Sequence, residues 1–185
     1  GYWSRGLGDV YKRQEHVSPA TIEGGKERTI VISGWSKTWA MTGMRVGFLA
    51  GPEQAVRAAV KCQANSASHI PTFMMEAARV ALDCDDHVER FSDAYRHRRN
   101  LIVQGLEDIP GLRIVNPEGA FYLFIDVTGT GMSDVQFADG ALKAGVQLIP
   151  ASLITGGEGF IRVSYAASEE DIKEGINRLR SWLLE

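Results

Sequence analysis

Cysteine is almost missing from this 185-residue chain: Cys62 and Cys84 are the only two. So few cannot build a disulfide framework, and a reducing cytoplasm is the expected compartment. Long apolar runs are missing as well. None approaches the roughly 20 residues that cross a bilayer as a helix, so no membrane partner is expected. Charge of one sign is also scarce. The 20 Lys and Arg against 23 Asp and Glu leave a net charge of −3, which gives no electrostatic reason to expect nucleic acid as a partner. The four histidines, His16, His69, His87 and His97, share no metal-ligand spacing, and no metal site is expected. Internal repeats and low-complexity tracts are absent. What remains is the ordinary composition of a globular protein, 44% hydrophobic and 23% charged, with room for one domain or two small ones.

The first 14 residues follow no helical or strand period, and they lack the basic start and apolar core of a signal peptide. Residues 4–14, SRGLGDVYKRQ, resemble a translated sequencing adapter joined to a truncated reading frame. We therefore set residues 1–14 apart as an adapter-like or disordered tail.

From there the pattern becomes readable. The β-branched run Thr29 to Ser33 and the run Val46 to Ala50 predict two strands. Pro52 suits the first turn of a helix reaching about Cys62, and Thr72 is read as the cap of another. Val88, Phe91, Tyr95, Ile102 and Leu106 fall on one stripe of a long helix, with Arg96, Arg98 and Arg99 on a solvated face. Short strands are expected at Leu112 to Val115, Phe121 to Asp126, Val146 to Ile149 and Phe160 to Tyr165. Ser133 with Gln136, and Ser168 with Asp171, have capping-box spacing and open two more helices. A boundary near Asp83 to Asp86 would divide the chain into segments 15–84 and 85–185.

The informative stretch is Ser33 to Gly47, SGWSKTWAMTGMRVG. Lys37 lies between two apolar strands and is flanked in sequence by Trp35 and Trp39, so an apolar pocket is expected around it. Burial would disfavour its ammonium form and make it an amine able to attack a carbonyl. Arg45, framed by Gly43 and Gly47, could grip a phosphate through two hydrogen bonds. Arg162 sits inside the apolar strand FIRVSY. A charge there must be paired, by a structural salt bridge or by a ligand.

The run SKTWAMTGMRVG resembles the lysine signature of class I/II aminotransferases, the fold type I pyridoxal-phosphate (PLP) enzymes. GEGFIRVSYA, PEGAFYLFID and Pro150-Ala151-Ser152 resemble later segments of the same family. The resemblance covers roughly His16 to the C-terminus. It implies an α/β fold, with 15–84 the C-terminal part of the PLP-binding large domain and 85–185 a small α+β domain. It implies that Lys37 bonds the cofactor and then moves the substrate Cα proton, that Arg45 holds the cofactor phosphate, and that Arg162 binds the substrate α-carboxylate. Phe121 and Tyr122 would reach the substrate side chain or pack in the core. Where many relatives carry a serine three residues before the lysine, this chain has Gly34, and Ser36 is the substitute hydroxyl.

The implied reaction is amino-group transfer from an amino acid to a 2-oxo acid by a homodimer. The family's phosphate loop, ring-stacking aromatic, asparagine and pyridine-binding aspartate all lie upstream of the lysine segment. The 185-residue chain by itself is therefore expected to be inactive. Two alternatives share these motifs: a PLP-dependent C–S lyase or related Cα/Cβ enzyme, and the aminotransferase-like effector domain of a transcription regulator.

Overall fold

Two short apolar runs separated by a glycine-containing loop form a hairpin-like pair. Strand β1 (Val31–Gly34) lies antiparallel to β2 (Gly47–Ala50), which follows the four-residue helix α1 (Trp35–Thr38) and a single 3-10 turn at Thr42–Met44. Gly34 stands opposite Gly47, so the whole loop 35–46 closes one end of this ribbon. The structure, a computed structural model, describes residues 17–184; the adapter-like segment 1–14 lies outside the described residues.

Helix α2 (Glu53–Ser66) starts directly after Pro52, whose fixed φ and missing N–H suit the position before the first turn. Helix α3 (Thr72–Ala81) is preceded in the same way by Pro71. Thr72 is thus the first helical residue and not the cap that sequence spacing predicts. Proline at 71 already holds the entry in an extended conformation, with φ −53° and ψ 135°. Helix α4 (Asp85–Leu106) follows. The chain divides into two compact units, one through Arg90 and one from Phe91, and the division falls within α4.

The first unit buries little. Val46, Ala78 and Ala81 are its only buried apolar residues among those described, while Ile32, Phe73 and Val60 stand in solvent. The second unit holds a continuous core. Strands β3 (Arg113–Ile114), β4 (Tyr122–Asp126), β5 (Ile149–Pro150) and β6 (Phe160–Ser164) form an antiparallel sheet in the order β3-β4-β6-β5. Helix α5 (Asp134–Lys143) precedes β5, α6 (Ser152–Thr155) follows it, and α7 (Glu169–Leu184) ends the unit.

One face of that sheet, carrying Leu123, Ile125, Ile161 and Val163, joins a core with Ile102, Leu106, Phe137, Ile172, Ile176 and Leu179. Ile102 and Leu106 of α4 and Ile172, Ile176 and Leu179 of α7 lie on the expected stripes, Phe137 comes from α5, and Phe91 of the expected α4 stripe is exposed. Alternation along β4 and β6 turns Tyr122, Phe124, Phe160, Arg162 and Ser164 to the other face, which is open to solvent in part.

The caps are partly as expected. Ser133 and Gln136 form a reciprocal capping box, with the Gln136 N–H donating to Ser133 Oγ at 3.2 Å and the Ser133 N–H donating to Gln136 Oε1 at 2.9 Å. At Ser168 the Asp171 N–H donates to the hydroxyl at 3.0 Å. That hydroxyl itself donates to the Asp171 carboxylate at 2.8 Å, so the acid does not reach back to the backbone. The strand expected at Val146 to Ile149 is shorter, because the Val146 N–H donates to Ala141 O at 2.8 Å and is used in ending α5.

Candidate functional site

Lys37 lies on α1, and α1 changes what surrounds it. Trp35 and Trp39 are four residues apart and therefore on one side of a helical turn, whereas Lys37 points about 200° away from Trp35. The two indoles pack on each other, with ring centroids 5.8 Å apart, and Trp35 also meets the edge of Phe48 at 5.7 Å. The Trp35 indole N–H donates to Ala78 O at 2.9 Å, which ties α1 to α3. Lys37 is exposed, as is Arg45, and Ser36 is half-buried. The apolar pocket expected around Lys37 is therefore not formed by the two tryptophans. They turn their faces to each other and to α3.

The loop nevertheless gathers Lys37, Ser36 and Arg45 at one end of the β1–β2 ribbon. The Trp35 N–H donates to Val46 O at 3.2 Å, which holds the start of α1 against the residue next to Arg45. Arg45 itself is in the left-handed region, φ 52° and ψ 41°, where a side chain is uncommon. Strain of this kind clusters at ligand-holding positions. Its Nη1 donates to Thr42 O at 3.1 Å, and no carboxylate among the described residues pairs with it. The rest of its donor fork is thus available to an anion.

Gly34, where a serine is commoner in the family the loop resembles, has a spatial reason. A Cβ added there would come 2.9 Å from Val46 O and 3.3 Å from Gly47 Cα. The ribbon is too close at this rung for a side chain unless the backbone shifts.

Arg162 lies on β6, directly opposite Phe124 of β4 and Ile149 of β5. No salt bridge to it occurs among the described residues, so the structural ion pair open to sequence reasoning is not what holds it. Its guanidinium carbon instead lies 4.6 Å from the centroid of the Tyr122 ring.

The segment leading into Tyr122 is held at several points. Arg99 donates to Pro117 O at 3.2 Å, the Tyr165 hydroxyl donates to Ala120 O at 2.9 Å, and the Tyr165 N–H donates to Phe121 O at 3.0 Å. Ala120 has φ 61° and is one of four non-glycine residues in the left-handed region among those described, with Ala40, Arg45 and Ser68. Tyr165 is almost fully buried, and burial pushes its phenol pKa up. Of the arginine cluster on α4, Arg96 pairs with Asp93, and Arg98 lies over the Tyr95 ring.

Sequence reasoning missed Asp134. Asp134 is 2% exposed, and its carboxylate accepts the Ser152 N–H at 2.9 Å, fastening α5 to the Pro150–Ser152 corner beside β6. The neighbouring Ser152 hydroxyl, and the Ser152 N–H that the carboxylate accepts, hold this carboxyl below the usual range. The available signal was an acid placed directly after the Ser133 cap. Among the described residues no group of three or more His, Cys, Asp or Glu is arranged to hold a metal ion, and no helix is long and apolar enough to cross a membrane.

Comparison with known proteins adds to this geometry. The family model described as aminotransferase class I and II matches residues 6–179, beginning inside the segment that sequence analysis sets apart. An aspartate aminotransferase of Pyrococcus horikoshii is 36% identical over 179 residues, covering 94% of this chain and 45% of its own length. Aromatic-amino-acid aminotransferase 2 of Thermococcus litoralis is 40% identical over 181 residues, covering 95% of this chain and 46% of its own. The crystal structure of the aspartate aminotransferase from Rhizobium meliloti superposes with a TM-score of 0.87 at 34% identity, over 94% of this chain and 46% of that one. The chain thus spans a little under half the length of the relatives it matches.

Proposed function

Because this chain belongs to the class I and II aminotransferase family, we propose that it carries the lysine segment and the carboxylate-binding strand of an enzyme that moves an amino group from an amino acid to a 2-oxo acid. The carrying observation is the ribbon end that gathers an amine at Lys37, a hydroxyl at Ser36 and a strained arginine, Arg45, that has no carboxylate partner among the described residues. That donor set fits the family's cofactor, pyridoxal phosphate. It offers a primary amine for the aldehyde, and a guanidinium with a hydroxyl for the phosphate.

In this reading Lys37 would hold the cofactor through its aldehyde and, once the substrate's amino group has displaced it, the freed amine would carry a proton from the substrate Cα. Arg45 and Ser36 hold the phosphate, which fixes the cofactor's orientation. Arg162 binds the substrate α-carboxylate through its planar fork and sets the Cα–H direction. The bound cofactor supplies an electron sink for the pair left when that proton departs. Groups contributed by the rest of the parent protein complete the site, and the parent acts as a homodimer in the cytoplasm. The exposed Ile32, Val60, Phe73 and Met75 of the first unit support a reading in which further protein covers it.

Among the proteins compared above, both relatives and the solved structure bear aminotransferase names, which favours transfer over C–S bond cleavage or a regulator's effector domain. The test is an assay of the parent enzyme for amine exchange. Exchange that needs the 2-oxo acid supports the reading. Release of ammonia or a thiol without any oxo acid contradicts it.

A further inference from the structure

An arginine on a central strand is normally held by a carboxylate, which occupies its N–H donors and fixes its direction together. Arg162 is held differently. Its guanidinium lies over the Tyr122 ring at 4.6 Å, with no ion pair among the described residues. An aromatic face attracts the cation through its quadrupole but accepts none of the in-plane N–H bonds. The arginine is steadied while its whole fork stays open to a ligand.

Tyr122 is itself steadied. Its ring lies 4.5 Å from Phe121, Phe121 stacks on Tyr95 at 5.6 Å, and Tyr95 meets the buried Tyr165 at 6.4 Å. Tyr165 also bonds the Ala120 carbonyl just before this pair, at the left-handed residue that turns the chain into β4. The row of rings therefore runs from the core of the second unit out to the guanidinium.

We infer that Tyr122 is a positioning residue for Arg162: its ring pre-orients the guanidinium for a carboxylate without consuming a donor. This rests on the reading of Arg162 as the carboxylate-binding group. Pre-ordering a long side chain removes the entropy it would otherwise lose on binding, which corresponds to about three- to tenfold in affinity.

The test is nuclear magnetic resonance on the 185-residue chain, with propionate as the probe because it carries no amino or oxo group to react with lysine. In the wild-type chain the Arg162 side-chain protons should be shifted upfield by the ring, and propionate should move the Nε–Hε signal saturably. Tyr122→Leu should abolish the ring shift and weaken propionate about three- to tenfold, while Tyr122→Phe should keep both within twofold. Urea melts of the same variants separate the roles, since a merely structural ring would lower the midpoint and leave the dissociation constant unmoved. Wild-type protons without a ring shift, or unchanged affinity in Tyr122→Leu, overturn the inference and leave the Arg162 reading intact. Propionate binding that survives in Arg162→Gln overturns that reading, and the inference with it.

Discussion

The indole of Trp35 donates a hydrogen bond to the Ala78 carbonyl at 2.9 Å, joining the lysine-bearing turn to α3 across 43 residues of sequence. In a unit with so few buried apolar side chains, this bond and the Trp35–Trp39 packing position the turn that carries Lys37. Trp35→Phe keeps an aromatic ring against Trp39 and Phe48 and loses only the donor. It should destabilise the first unit by about 0.5–1.5 kcal/mol. Hydrogen exchange should report the loss as faster exchange in residues 31–50 with unchanged rates in β4 and β6.

Gly34→Ser, which restores the residue commoner in the family, should fail to improve anion binding. Its Cβ would sit 2.9 Å from Val46 O, so the ribbon must open at its last rung. The expected cost is about 1–3 kcal/mol. It should be visible as lost protection of the Trp35 N–H, the donor to that same carbonyl. A variant with a tighter ribbon and stronger phosphate binding would contradict this.

Asp134 gives the second unit an acid-sensitive fastening. Its folded-state pKa is lowered by Ser152, so its contribution to stability is complete above the unfolded value of about 3.9. That contribution disappears as pH falls through the lower folded value. Asp134→Asn should cost about 1–3 kcal/mol at neutral pH. It should also flatten the dependence of stability on pH below about 5, as measured by denaturant melts at several pH values.

How much of this could be read in the sequence depended on the length scale of the cause. The long stripes of α4 and α7 repeat over several turns, and Ile102, Leu106, Ile172, Ile176 and Leu179 are buried as that periodicity requires, whereas Phe91 at the start of the α4 stripe is exposed. The strands β4 and β6 are flanked by turn residues and alternate cleanly, so only their ends moved. The environment of Lys37 was not legible. Helix α1 is a single turn, too short to leave a period, yet that turn decides that the tryptophans face each other. Arg45 and Arg162 stand out in the sequence, because each is a charge in an apolar or glycine-rich setting. What holds them was not. The left-handed backbone at Arg45 and the ring under Arg162 arise from pairing register and from loop closure over tens of residues.

In the proposed function Lys37 and Arg45 act on one small molecule from the same end of the ribbon, and selective labelling tests this on the chain itself. The chain is incubated with limiting pyridoxal phosphate, the adduct is fixed with borohydride, and the labelled lysines are mapped by mass spectrometry. Lys37 should be labelled ahead of Lys26, Lys61, Lys143 and Lys173, and Arg45→Ala should remove that preference while the other lysines label as before. Equal labelling of all lysines, or a Lys37 preference indifferent to Arg45, would contradict the account.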